Sequence, residues 1–296
     1  MGKRRINIRN HHSAFNLENS SSKLAKDYSK DFHKWWNPEK FQWEEGSRGL
    51  ARYCHNYFDI WWDPDKFHWE ESSKDLAPYC HNYFDIWWDP DKYQWESGSA
   101  NLVRYCFEYI NTWGKDLSKF NWNDCTKSLT RRLFDHFNVW WNPDEFNWKN
   151  FSYLLPRHCS KCINIWGKDL SRFDWKNSSS YLAQHCSKDF NTWWDPTKYN
   201  WKGDSWALAR HCHRYFDIWS KDISDFNYQG YFGELGSFYL ARYCSKHFEK
   251  WYNPDKLNWN YKYFREGTIR DVLEKYCIKY KDHWALDYVI KTLENE

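Results

Sequence analysis

A chain of 296 residues with 43 Lys and Arg against 40 Asp and Glu carries a net charge of only +3, which excludes a bulk polyelectrolyte. Its mean hydropathy of -1.03 would ordinarily suggest disorder, but 22% of its residues are Phe, Trp or Tyr. Each such ring buries roughly 150–250 Å², enough for a packed core with few aliphatic side chains. No stretch approaches the ~18 apolar residues of a membrane span, and no apolar segment follows the basic MGKRRINIRNHH as in a signal peptide. Ile6 stands where a myristoylation signal has Ser or Thr, so no membrane association is expected.

One pattern dominates the chain. A Leu-headed repeat opens at Leu24, Leu50, Leu76, Leu102, Leu129, Leu155, Leu182, Leu208, Leu240 and Leu273, with most spacings 26 or 27 residues and the last two 32 and 33. A fixed period in this range marks repeats that bury their apolar faces against one another. The expected fold is an all-α solenoid of about ten 26-residue repeats, each a long helix plus a short one. The period is shorter than that of tetratricopeptide, ankyrin or HEAT repeats, and no family resemblance is drawn.

In chain order, residues 1–14 read as a flexible basic arm with Lys3, Arg4, Arg5 and Arg9 and no apolar periodicity. Phe15, Asn16 and Leu17 match the F-x-W that closes later repeats, so the array, residues 15–284, begins with a half repeat. Counting the opening Leu as position 1, the apolar residues fall at 1, 4 or 5, 9 and 12, as in Leu50, Tyr53, Cys54, Phe58 and Trp61. Steps of three and four place them on one face of a helix. Three residues before the Leu stands Ser or Thr in nine repeats of ten (Ser47, Ser73 and Thr126 among them), which predicts the N-cap of the long helix there.

After the position-12 Trp, pairs such as Asp63-Pro64, Asn142-Pro143 and Asp195-Pro196 predict the N-cap and first residue of a short second helix of six to nine residues that offers Phe67 and Trp69. Three repeats carry one extra linker residue (Gly114-Lys115-Asp116, Gly167-Lys168-Asp169 and Ser220-Lys221-Asp222), where the glycines suit a left-handed turn. An insertion around Gln229 to Gly236 and a longer segment from Tyr261 to Gly267 are candidate functional loops or tolerated insertions. Residues 285–296 read as a capping helix.

Eight of the ten cysteines recur at position 5. Equivalent residues on neighbouring helices lie about 8–10 Å apart, beyond disulfide reach, so a ladder of buried thiols in a reducing, cytoplasmic compartment is expected. His158 to Cys162 contains one C-x-x-C and His211-Cys212-His213 sets two imidazoles beside a thiol, but a structural zinc site needs four convergent ligands and no second C-x-x-C exists. No catalytic motif is present and no cofactor is expected.

Two positions are the candidates for binding. Position 3 is basic in Lys26, Arg52, Arg104, Arg131, Arg157, Arg210, Arg242 and Lys275, and is interrupted by Pro78 and Gln184. These charges are either compensated by acids such as Glu39 or Asp65, or form a track for an anionic partner. Position 7 varies through Asn56, Asn82, Glu108, Asp135, Lys161, Lys188, Arg214 and Lys246, as the reading positions of a constant scaffold do. The second Trp of the W-W pair, as in Trp62, is expected to pack rather than bind. The expectation is a non-enzymatic scaffold for a protein or peptide partner. The alternative is a nucleic-acid binder that uses the position-3 track.

Overall fold

The computed structural model describes residues 20–229, 236–259, 262–263 and 267–294. The basic arm, the half repeat at residues 15–17 and residues 230–235 of the insertion lie outside them. The protein is all-α among the described residues, apart from a two-residue antiparallel pairing of Lys262–Tyr263 with Gly267–Thr268. The chain divides into two compact units, residues 1–142 and 143–296. Within each, the leading helix of every repeat packs on that of the next: Ser21–Asp27 on Trp43–Tyr53 in the first unit, and Trp175–His185 on Trp201–His211 in the second.

The repeat differs from its predicted outline in three ways. First, the leading helix begins at the Trp of F-x-W, as in Trp43–Tyr53, Trp122–Arg132 and Trp175–His185. Trp69 is therefore the first residue of the next repeat's leading helix and does not belong to a second helix. The residue before the Trp is the cap: Asn121, Asp174 and Asn200 each accept the backbone N–H three residues on, at 3.1–3.3 Å. The Ser predicted as N-cap lies one turn inside, where its hydroxyl does other work. Ser47 Oγ donates to the Trp43 carbonyl at 2.6 Å and accepts the backbone N–H of His68, in the next repeat, at 3.0 Å. The same acceptor tie joins Ser73 to Gln94, Ser99 to Asn121, Ser152 to Asp174 and Ser179 to Asn200.

Second, the helix does not run unbroken to the position-12 Trp. It stops at position 5, where Cys54 has φ -114° and ψ 19°, and passes through a 3-10 turn at His55–Tyr57 into the single turn Phe58–Trp61. The Cys54 carbonyl accepts both the Tyr57 N–H at 2.9 Å and the Trp61 indole Nε1–H at 2.8 Å, which takes it out of the i, i+4 ladder. The chain keeps winding through the turn, so the apolar spacing survives the interruption.

Third, Asp63-Pro64 opens one turn only. The Asp63 side chain accepts the Asp65 and Lys66 N–H groups as an N-cap does, and the Phe67 N–H reaches the Asp63 carbonyl at 2.9 Å, but the chain then extends into the next Trp. The Trp69 indole closes this turn on the Pro64 carbonyl at 2.9 Å, and Trp122 does the same on Leu117 at 3.2 Å. The extra linker residue is thus absorbed ahead of a fixed anchor, in the 3-10 segments Gly114–Lys119 and Gly167–Arg172. Gly114 and Gly167 have φ of -66° and -63°, not the left-handed conformation expected of them. A Cβ on Gly114 would come within 2.9 Å of Val139 in the next repeat, so close approach accounts for that glycine.

The core of most repeats is the position-1 Leu, the position-5 thiol, the position-9 Phe or Ile and the position-12 Trp, all buried; Tyr28 and Leu133 replace the thiol in the first and fifth repeats, and Lys281 stands at position 9 of the last. Neighbouring repeats also stack aromatically, Phe58 on Tyr83 at 4.4 Å and Phe190 on Tyr215 at 4.7 Å. The helix Lys281–Leu293 ends the described chain, and the segment read as a cap from residue 285 begins inside it.

Candidate ligand-binding surface

The conspicuous residues of the repeat are consumed by its interior. Burial pushes the thiols of Cys54, Cys106, Cys159, Cys186 and Cys277 up to about 12, so they stay protonated, and several act as weak donors. Cys54 Sγ lies 3.6 Å from the Ala25 carbonyl of the preceding repeat, and Cys277 Sγ lies 3.6 Å from that of Ala241. Neutral buried thiols are poor nucleophiles and poor metal ligands. Among the described residues no three His, Cys, Asp or Glu side chains gather as a metal-binding group, and no helix is long and apolar enough to cross a membrane. Trp62, the second Trp, stacks on Phe58 at 5.0 Å and meets Trp69 edge-on at 5.6 Å, so it packs against the start of the next leading helix.

Position 3 stays at the surface. Lys26, Arg104, Arg131, Arg157, Arg210, Arg242 and Lys275 are exposed, and Arg52 is half-buried. Arg52 is locked to a carboxylate: its Nε reaches Asp75 Oδ1 at 2.9 Å while Arg48 Nε takes Oδ2 at 2.9 Å. Burial alone would lower the Arg52 pKa, but the hydrogen bond and charge of Asp75 outweigh it and hold the guanidinium above its ordinary value. Asp75 is buried and unique to its repeat, and nothing in the periodic pattern marked it.

The acids expected to compensate position 3 are engaged elsewhere. Glu39 pairs with Lys66 at 3.1 Å, Asp91 with Lys119 at 2.6 Å and Asp144 with Arg172 at 2.7 Å, a separate ladder along the Asp-Pro turns. Lys26, Arg104, Arg131, Arg157 and Arg210 make no ion pair among the described residues. Several cations lie on rings instead. Arg210 sits 5.5 Å from the centroid of Tyr239 and 3.3 Å from its hydroxyl, and Arg242 sits 5.7 Å over Tyr276. Both contacts join one repeat to the next.

Position 7 is exposed in every candidate: Asn56, Asn82, Glu108, Asp135, Lys161, Lys188, Arg214 and Lys246, to which Lys279 of the last repeat must be added. It follows position 3 by four residues, across the break at position 5, in the 3-10 turn that succeeds the leading helix. The two units differ here. The first carries Asn, Asn, Glu and Asp after Lys30, whereas the second carries only Lys and Arg. The sorting follows the division of the chain at residue 142. Exposed Ile60, Ile86 and Val139 in the first unit, and Ile165 and Ile218 in the second, all at position 11, are apolar side chains that the candidate positions also omitted.

Comparison with known protein families, curated proteins and solved structures finds no match to this chain.

Proposed function

We propose that the protein is a non-enzymatic helical-repeat scaffold, a solenoid-type stack within each unit, that binds an extended, negatively charged partner along positions 3 and 7. The single observation that carries this reading is the contrast between the Cys, Trp and Ser ladders, whose polar groups are satisfied inside the fold, and position 3, where five cations stand exposed without an ion pair among the described residues. An exposed row of like charges repels itself at separations near the Debye length, and an anionic ligand relieves that repulsion. Of the two partner classes that suit a helical repeat, a neutral peptide gains nothing from such a row; an acidic peptide or a nucleic acid does. The non-catalytic reading draws on the repeated thiols, which burial keeps protonated inside the core.

The test is binding of the full chain to labelled polyglutamate and to mixed-sequence oligonucleotides at low salt. Micromolar binding of at least one polyanion, lost as salt rises, is expected. Absence of binding to both at low ionic strength overturns the proposal.

A further inference from the structure

The second unit differs from the first in one respect that selects among polyanions. Its position 7 is Lys161, Lys188, Arg214, Lys246 and Lys279, all exposed, and Arg157 and Arg210 stand four residues earlier, near the ends of the leading helices, without an ion pair among the described residues. Arg242 and Lys275 continue position 3 on the surface, with Gln184 the one uncharged side chain in the two rows. Two of the nearby acids are occupied: Asp217 pairs with Lys250 at 2.6 Å, and Glu274 approaches Lys281 at 3.9 Å, while Asp189 beside Lys188 is exposed. In the first unit the corresponding surface is mixed. There Lys26 and Arg52 share an open depression of about 350 Å³ with Glu44, Glu45 and Glu71, and position 7 turns acidic at Glu108 and Asp135.

The basic rows of the second unit are interleaved with rings. Arg210 lies on Tyr239, Lys275 lies 5.1 Å from the centroid of Tyr276, and Lys279 lies 4.9 Å from that of Tyr280. The hydroxyl of Tyr215 reaches back to the Lys188 carbonyl at 3.2 Å, which ties one repeat's row to the next. A guanidinium beside an aromatic ring can stack on a base as well as give its N–H groups to phosphate, whereas an acidic peptide uses only the charge. Regular cations beside planar groups match a chain of phosphates beside unpaired bases.

Building on the proposed polyanion-binding scaffold, we infer that the second unit binds single-stranded nucleic acid, with positions 3 and 7 on the phosphates and the Arg–Tyr pairs against the bases. The first unit contributes little to this affinity. Binding is tolerant of sequence, since no base-reading side chain recurs along the rows.

The experiment measures fluorescence anisotropy of the full chain with labelled 25-nucleotide single-stranded DNA and RNA, a duplex of the same sequence, and polyglutamate of equal charge. Substitutions are R210E with R214E and K246E in the second unit, and R104E with R131E in the first. The expected result is single-strand binding at least ~10-fold tighter than duplex or polyglutamate. Its log affinity falls with log salt at about 0.7 per phosphate contacted, so the second-unit triple substitution flattens the slope by roughly 2 and weakens binding ~100-fold, and the first-unit pair changes it less than ~3-fold. The milder R210Q with R214Q and K246Q, checked for an unchanged melting curve, guards against misfolding and must also weaken binding. Equal binding of polyglutamate and oligonucleotide overturns this inference but leaves the scaffold proposal standing, as does loss of binding on the first-unit substitutions alone. No binding of any polyanion overturns both.

Discussion

The indole Nε1 of Trp61 donates to the carbonyl of Cys54, seven residues earlier, at 2.8 Å, and the equivalent bond recurs in all ten repeats at 2.7–3.2 Å. It fixes where each leading helix stops. Trp61→Phe keeps a ring in the buried slot but leaves that carbonyl short of one donor and removes part of the ring's volume. A loss of about 2–3 kcal/mol in unfolding free energy is expected from the lost indole bond and the cavity. Urea denaturation followed by far-ultraviolet circular dichroism measures it, and a change below ~0.5 kcal/mol would show that the bond is dispensable.

Ser47 makes a sharper comparison because the sequence supplies its own control. Ser47→Ala strips the N–H of His68 of its acceptor and is expected to cost about 1–3 kcal/mol. Ser47→Thr keeps the hydroxyl, and Thr126 occupies the equivalent seat, where it makes the donor bond to the Trp122 carbonyl at 2.6 Å. The Thr variant is therefore expected within ~1 kcal/mol of the parent in the same measurement, and a cost equal to that of Ala would refute the tie.

Those two bonds also explain what the sequence revealed and what it concealed. Periodicity at Leu50, Cys54, Phe58 and Trp61 exposes the helical face because burial repeats with the helix, and it identified the core positions. It does not report where a helix begins or breaks, since Ser47 and Cys54 owe their places to partners seven or twenty-one residues away. A hydroxyl near a helix start looks like a cap until the Trp four residues upstream is known to be the first helical residue. The exposure of positions 3 and 7 followed from the pattern, but the lock on Arg52 depends on Asp75, a residue that occurs once and leaves no periodic trace.

The thiols predict an alkaline limit. The unfolded-state value is near 9, and burial raises Cys54, Cys106, Cys159, Cys186 and Cys277 to about 12 in the fold. Between these values the folded chain holds protons that the unfolded chain releases, so stability is constant below pH ~9 and falls as pH rises above it. The melting temperature is expected to drop steeply from pH 9 to 11, and replacing Cys54 and Cys106 by Ala reduces the slope. At pH 8 the half-buried Cys162 is expected to react with a thiol reagent before the nine buried cysteines, which mass spectrometry resolves.

Asp204 acts in the opposite pH range. Burial raises its carboxyl to about 6, and the hydrogen bond accepted from the Ser180 N–H at 3.1 Å offsets this only in part. A carboxyl whose folded value exceeds its unfolded value near 3.8 binds more protons in the fold. Stability is therefore highest below that unfolded value and declines as pH rises from about 4 to 6. Asp204→Asn keeps an acceptor for Ser180 without the buried charge. It is expected to match or exceed the parent's stability at pH 7 by up to ~2 kcal/mol and to show no decline across that interval in thermal melts. A parent melting temperature that rises from pH 4 to 6 contradicts this.

Asp75 tests the proposed surface from the first unit. Its carboxylate, only 4% exposed, holds Arg48 and Arg52 together, and both guanidinium groups retain access to solvent. Asp75→Asn removes the compensating charge, and the partly exposed arginines turn outward, which limits the stability cost to about 1–2 kcal/mol, below that of breaking a fully buried pair. The two released cations then stand with Lys26 on the same surface. If exposed position-3 charge governs polyanion affinity, the variant binds single-stranded oligonucleotide more tightly than the parent, and the gain disappears at high salt because it is electrostatic. The opposite result, weaker binding by a protein that melts within a few degrees of the parent, would mean that Arg52 serves the ligand only while Asp75 holds it in place.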